Sequence, residues 1–342
     1  MERKARCISA ATLLHDNMRR KLQDYLRPMA NDDDLVWQQM TFERFTWLIR
    51  DSLLYMKAYG EYSDYDEMKL RDFSKQHLTD KVLKEGTKEA ANTKLQEAYN
   101  EFEKRLFISC WYSSPDLSDV VFKIYARGNS GIAIGTKVGT LRKQLCEGQE
   151  KYNLDTENKN KIRNIVCANV QYVPQKNMWD EELFEPAQVY APVFLKGLQF
   201  KMDNEFRVCV EKELPEDLIY NSEDNQDKTK ELLLVKAEQL KIIRTGTNVA
   251  DLMKQIETEY EKFDQKLCHD TPPNNIRIPV RLSSLIEYIA IKNDSWFQKL
   301  GVSGIKDFFE FWFNMKMTED EEYRDSGFLV FKLDEIGVSN HV

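Results

Sequence analysis

Short apolar runs, each bounded by turn-forming or charged residues, recur along this chain and are mixed irregularly with stretches of helical periodicity. Residues 35–40, 53–56, 107–112, 131–135, 165–173, 206–210 and 276–280 read as strands, being too short for helices and rich in β-branched and aromatic residues. Helical spacing is clear at Leu13, Leu14, Met18, Leu22 and Leu26, which predicts an N-terminal helix over 8–29 that ends near Pro28. Thr41 is the expected N-cap of a helix carrying Phe42, Phe45, Leu48 and Ile49. Further helices are expected between 66 and 106, after Ser114-Pro115-Asp116, around Leu141 and Leu145, over much of 179–196, and from 281 through Phe313. The mixture lacks the regular strand–helix–strand rhythm of a doubly wound fold. An α+β class follows, with a central, mostly antiparallel sheet and flanking helices. Its expected division is a helix at 1–30, one domain over 31–317 and a tail at 318–342, with a charged insertion at 214–230.

Hydrophobic residues make up 42% of the 342, with 18 Phe, 15 Tyr and 6 Trp, which is ample for a core and excludes wholesale disorder. A formal net charge of −8 argues against coating nucleic acid by global attraction, although a local basic groove stays open. The six cysteines form no CxxC pair and suit buried, reduced thiols. His15, His77, His269 and His341 are too scattered to suggest a zinc site. No run is long enough to span a bilayer, and the opening apolar stretch is too short for a secretory leader, so a cytoplasmic protein without membrane partners is expected.

Strand alternation puts Asp203, Glu205 and Arg207 on one face, where they could line a cleft or merely form a self-neutralising ladder. Asp64, Asp66 and Glu67 are hard oxygen donors. With Asp203 and Glu205 they could complete a magnesium site, with Lys196 steadying a phosphate, as a metal-dependent nuclease requires. The aromatic run Phe308, Phe309, Phe311, Trp312 and Phe313 is core material or the contact surface of a non-enzymatic binding module. Gly128-Asn129-Ser130-Gly131 falls short of the dinucleotide and P-loop fingerprints, and no Ser or Cys occupies a G-x-S-x-G elbow.

Several segments, in order, resemble the bacterial family known as domain of unknown function 2971, over about residues 35–315. They are Trp37-Gln38-Gln39-Met40, Leu54-Tyr55-Met56 with Asp64 to Met68, Cys110-Trp111 with Leu117-Ser118, and Phe122, Tyr125 and Gly131-Ile132-Ala133-Ile134. Downstream come Val170-Gln171-Tyr172, Leu195-Lys196 and Phe200 with Asp203, Glu205 and Arg207, and finally Ile276 to Leu285. Gln39, Tyr65, Met68 and Phe122 depart from the family pattern. The order of features resembles that of ADP-ribosyltransferases, which cleave the nicotinamide–ribose bond of NAD. The resemblance implies an ADP-ribosyltransferase-like fold and activity, as in a toxin or antiviral defence effector. Glu205 would be the carboxylate beside the ribose and Tyr125 the ring against nicotinamide. Trp37 and Gln39 would meet the adenosine or ribose, and Lys196 or Arg207 the pyrophosphate. NAD would be the substrate, nucleic acid or protein the target, and an antitoxin or partner subunit a natural companion.

Overall fold

The computed structural model describes residues 8–9, 30–61, 104–126, 131–155, 161–173, 191–212, 275–293, 295–323 and 326–337. The chain divides into two units, Met1–Glu213 with Asn275–Val342 and Leu214–Asn274, and every described residue belongs to the first. Expectations for residues 10–29, Asp64, Asp66, Glu67, residues 66–103, residues 179–190 and the 214–230 insertion lie outside the described residues. Among the described residues no helix is long and apolar enough to cross a membrane.

The strands in chain order are β1 (Ile8–Ser9), β2 (Leu35–Met40), β3 (Leu53–Ala58), β4 (Leu106–Ser113), β5 (Ile132–Lys137), β6 (Ile162–Asn169), β7 (Gln171–Val173), β8 (Leu195–Gly197), β9 (Glu205–Lys212), β10 (Asn275–Pro279), β11 (Tyr288–Lys292), β12 (Met315–Glu319) and β13 (Phe328–Ile336). The α-helices are α1 (Phe42–Asp51), α2 (Asp119–Tyr125), α3 (Val138–Leu154), α4 (Ala191–Phe194), α5 (Leu282–Leu285) and α6 (Gly301–Phe313). One large sheet runs β1-β6-β9-β4-β2-β5-β11-β13-β12, with β3 and β10 branching from β4, and β7 and β8 form a small parallel pair. Every pairing in the large sheet is antiparallel except β1 with β6. The α+β class with a central, mostly antiparallel sheet is the observed one.

Three expectations are corrected. Ile8–Ser9 is not helical but a short strand paired in parallel with β6, opposite Val166 and Cys167. Residues 288–292 are not helical: Tyr-Ile-Ala-Ile-Lys is β-branched in its centre and pairs on both sides, with β5 and β13. The segment after 317 is no irregular tail. β13 lies between β11 and β12 and buries Phe328, Val330 and Phe331, so the domain runs on to Ile336.

Local chemistry explains the elements around the site. The Thr41 hydroxyl accepts from the Arg44 amide and starts α1, which turns Phe42, Phe45, Leu48 and Ile49 inward and ends at Ser52 in the left-handed region. Phe42 and Phe45 pack edge-on and tilted against Phe308, Phe309 and Phe313 of α6, so most of the C-terminal aromatic run is core, while Phe311 stays exposed. α3 closes on β10 through Gly148, where a Cβ would lie 2.2 Å from the Pro279 carbonyl oxygen.

The feature that positions the site is a fork in the sheet. At its C-terminal end β4 pairs with β2 (Tyr112 with Trp37, Ser113 with Val36), and at its N-terminal end with β3 (Ile108 with Lys57, Phe107 with Ala58). Between these points β2 and β3 splay away from Ser109, Cys110 and Trp111, and α1 joins them across the gap. The other edge of β4 stays zipped to β9 along its whole length. Two clusters flank the fork. One holds Trp37, Leu117, Phe122, Ala133, Ala290, Phe328 and Val330, and the other Leu106, Ile108, Val166, Ala168, Val193, Phe194 and Cys209. Free thiols at Cys167 and Cys209 are buried, as expected of reduced core cysteines.

Candidate functional site

A cleft opens at the fork, lined by Gln38, Gln39, Arg44, Tyr55, Lys57, Ser109, Cys110, Trp111, Tyr112, Tyr125, Asp203 and Glu205, with Ile108 and Val121. Cross-strand registration explains why distant segments meet. Tyr112 opposes Glu205 and Cys110 opposes Arg207, so the odd residues of β9 share a face with the even residues of β4. α2 lies over that face and presents Tyr125 at its C-terminal end, its start fixed by the Ser118 hydroxyl accepting from the Val121 amide. Through the gap the cleft also reaches a polar cluster on the opposite face, where the Ser109 hydroxyl accepts from both Gln38 Nε2 (2.8 Å) and Trp111 Nε1 (3.1 Å).

Glu205 is the most constrained group in the site. It is only 5% exposed, yet it lines the cleft. Lys196 Nζ donates to its Oε1 at 2.7 Å and Arg207 Nε to its Oε2 at 2.6 Å. Lys196 Nζ also reaches Asp203 Oδ2 at 2.6 Å, and Arg207 Nη1 donates to the Val193 carbonyl at 2.7 Å. Burial alone would raise the Glu205 pKa. The charges of Arg207 and Lys196, with their hydrogen bonds, outweigh burial and hold the carboxyl below the usual range, so Glu205 is an anion at neutral pH.

The scaffold behind this quartet is the β7–β8 pair. Tyr172 opposes Lys196 there, and the Tyr172 hydroxyl accepts from the Glu205 amide at 2.7 Å. Asn204 makes the bend that separates the two carboxylates, with φ at 37° and its side-chain amide donating to the Ser113 carbonyl. Asp203 therefore sits at the end of a 3₁₀ helix, Leu198–Asp203, and not on the strand as simple alternation predicts. Tyr125 is 40% exposed, with its hydroxyl 3.5 Å from Asp203 Oδ2. Burial, with the nearby Glu205 charge, pushes its pKa up, so it remains an O–H donor.

Of the residues singled out by sequence, Glu205, Tyr125, Gln39 and Asp203 meet in this cleft. Lys196 and Arg207 stand behind it, occupied by carboxylates, and do not line it. Trp37 is not in the cleft. It is fully buried, its ring lies against Gly135, Tyr288 and Tyr323, and its Nε1 donates to the Ser114 carbonyl at 3.1 Å, so it is a core residue. Among the described residues no group of three or more His, Cys, Asp or Glu could hold a metal ion, and the Asp203 carboxylate is bound to Lys196.

Sequence reasoning missed Arg44, Lys57, Ser109 and Trp111 as cleft residues. Alternation along 53–58 puts Tyr55 and Lys57 on one face, but that this face meets Glu205 depends on the long-range pairing of β3 with β4. Comparisons with family models, with curated proteins and with solved structures gave no match.

Proposed function

We propose that this cleft binds NAD and that the chain consumes it as an ADP-ribosyltransferase-like enzyme, acting as a toxin or antiviral defence effector on a nucleic-acid or protein target. The observation that carries the reading is the convergence of an ionised, buried Glu205 with the Tyr125 and Tyr112 rings and Gln39 in one cleft, although these residues come from four separate elements. In the proposed reaction the bond between the ribose C1′ and the nicotinamide nitrogen breaks. Its electron pair leaves with neutral nicotinamide, and positive charge develops on the ribosyl carbon and ring oxygen. A fixed carboxylate beside that ring stabilises the charge as it forms. A water or target nucleophile then adds to C1′ and gives its proton to solvent.

The residues behind the cleft supply the fixing. Each Glu205 oxygen accepts one charge-assisted bond, from Lys196 or from Arg207, and retains acceptor capacity for ribose hydroxyls. Tyr125, partly exposed at the mouth, offers a ring for the nicotinamide. Ile124 and Met202, adjacent in sequence to Tyr125 and Asp203, are 58% and 64% exposed and favour a macromolecular target over water alone as acceptor.

The test is release of nicotinamide from NAD by the purified chain, followed by chromatography, with transfer of label to candidate acceptors. Glu205→Gln keeps the shape of the side chain and removes the charge, and is expected to lower turnover about a hundredfold or more. Wild-type turnover by a folded Glu205→Gln variant would remove the carboxylate from the mechanism. Absence of any NAD turnover, with a partner stably retained in pull-downs, would leave a binding module. Among the described residues no observation favours the nuclease reading, whose Asp64 and Glu67 lie outside them.

A further inference from the structure

We propose that the β2–α1–β3 side of the cleft is a phosphate-recognising subsite, built from the Arg44 guanidinium, the Lys57 ammonium and the side-chain amide of Gln39. The inference deepens the NAD reading by assigning its pyrophosphate, but its own test does not depend on cleavage. Gln39 provides the first observation. It lines the cleft, is 8% exposed, and its Nε2 has no acceptor among the described residues. Buried donors are nearly always satisfied, because leaving one unmet costs its full desolvation, so an oxygen brought by a ligand is the acceptor this amide lacks.

The distribution of charge is the second, independent observation. The acidic residues lining the cleft, Asp203 and Glu205, both lie on the β9 side of β4, where Lys196 and Arg207 balance them. The residues that β2, α1 and β3 contribute include two cations and no acid. Arg44 lies over the Tyr55 ring, 5.0 Å from its centre. A cation–π contact uses none of the guanidinium's N–H donors, and that donor set suits a planar or tetrahedral oxyanion. Lys57, on the same strand face as Tyr55, adds a point charge beside it. Two cations and a neutral N–H donor, separated by β4 from a carboxylate, suit a phosphate ester whose sugar lies toward Glu205. The earlier expectation that Lys196 or Arg207 grips the pyrophosphate gives way to this assignment, since both already hold Glu205.

The experiment is isothermal titration calorimetry on the full chain with ADP-ribose, and with adenosine as the phosphate-free control. ADP-ribose is expected to bind at least about tenfold more tightly than adenosine. Arg44→Gln and Lys57→Gln should each weaken ADP-ribose by about tenfold, leave adenosine unchanged and flatten the salt dependence. Arg44 is exposed and Lys57 half-buried, so both variants should fold, as circular dichroism checks. Gln39→Leu separates this role from a structural one: it should lower ADP-ribose affinity while raising the melting temperature, because an unmet buried donor is gone. Equal binding of adenosine and ADP-ribose, or unchanged ADP-ribose affinity in Arg44→Gln and Lys57→Gln, would overturn the subsite. ADP-ribose binding that needs both cations, in a protein that leaves NAD intact, would keep the subsite and discard the cleavage. Glu205-dependent cleavage with an unchanged KM in a variant combining Arg44→Gln and Lys57→Gln would do the reverse.

Discussion

Asn204 is the side chain on which the spacing of the two carboxylates turns. Its backbone sits at a φ of 37°, which Asn and Gly accept and a β-branched residue does not. Asn204→Val is therefore expected to cost about 1–3 kcal/mol in denaturant unfolding, and Asn204→Gly clearly less. The quartet it orients is a buried ion network, and such networks are fragile when one partner is lost. Lys196→Met strands Asp203 and leaves Glu205 with one cation, which should destabilise the fold by about 3–5 kcal/mol. The pH dependence has a definite sign. Glu205 has a folded pKa below its unfolded value of about 4.3, so its contribution is complete above that value and is lost as pH falls through the folded pKa. The stability gap between wild type and Glu205→Gln should accordingly shrink below about pH 4, as parallel urea titrations would show. Alternation alone made it legible that Glu205 and Arg207 share a face. That Lys196 would be their partner was not legible, because its position is set by β8 pairing with β7, across a segment of more than twenty residues.

Elements were easiest to read where a local signal and the fold agree. The Thr41 cap, the α1 stripe and the runs that became β2, β4 and β9 are of this kind. β11 was misread because Tyr-Ile-Ala-Ile-Lys carries no turn signal after α5, and only its two sheet neighbours make it a strand. Trp37 shows the same limit at a proposed site. An aromatic residue on β2 could face ligand or core, and β5 decides the matter with Gly135, directly opposite in register. A Cβ on Gly135 would lie 2.6 Å from the Trp37 ring, so close packing there depends on glycine. Gly135→Ala should lose about 1–3 kcal/mol by overpacking, measured by chemical denaturation. Trp37→Phe should lower stability while leaving ADP-ribose affinity unchanged, which is the behaviour of a core ring.

For the molecule as a whole, the sheet extends well past the segments that looked like a domain. Ending the chain after Met317 removes β13, and with it the partner of both β11 and β12 and the buried Phe328, Val330 and Phe331. That truncation should yield insoluble or unfolded protein by circular dichroism, whereas a dispensable tail would leave the fold intact. Composition made the fold class readable because a mixed pattern of short strands and helices admits few layerings. The branching of β3 from β4 was unreadable, since nothing local marks where two ladders part. The gap at Ser109–Trp111 has a further consequence. A seam that comes undone partway along a shared spine leaves two leaves hinged on β9 and the unbroken edge of β4. Any occupant wedged between them touches both, tying together regions that otherwise report separately. Amide exchange along the β4-facing edges of β2 and β3, beyond their pairing with β4, should then slow in concert when ADP-ribose is added, even though the two strands share no ladder with each other.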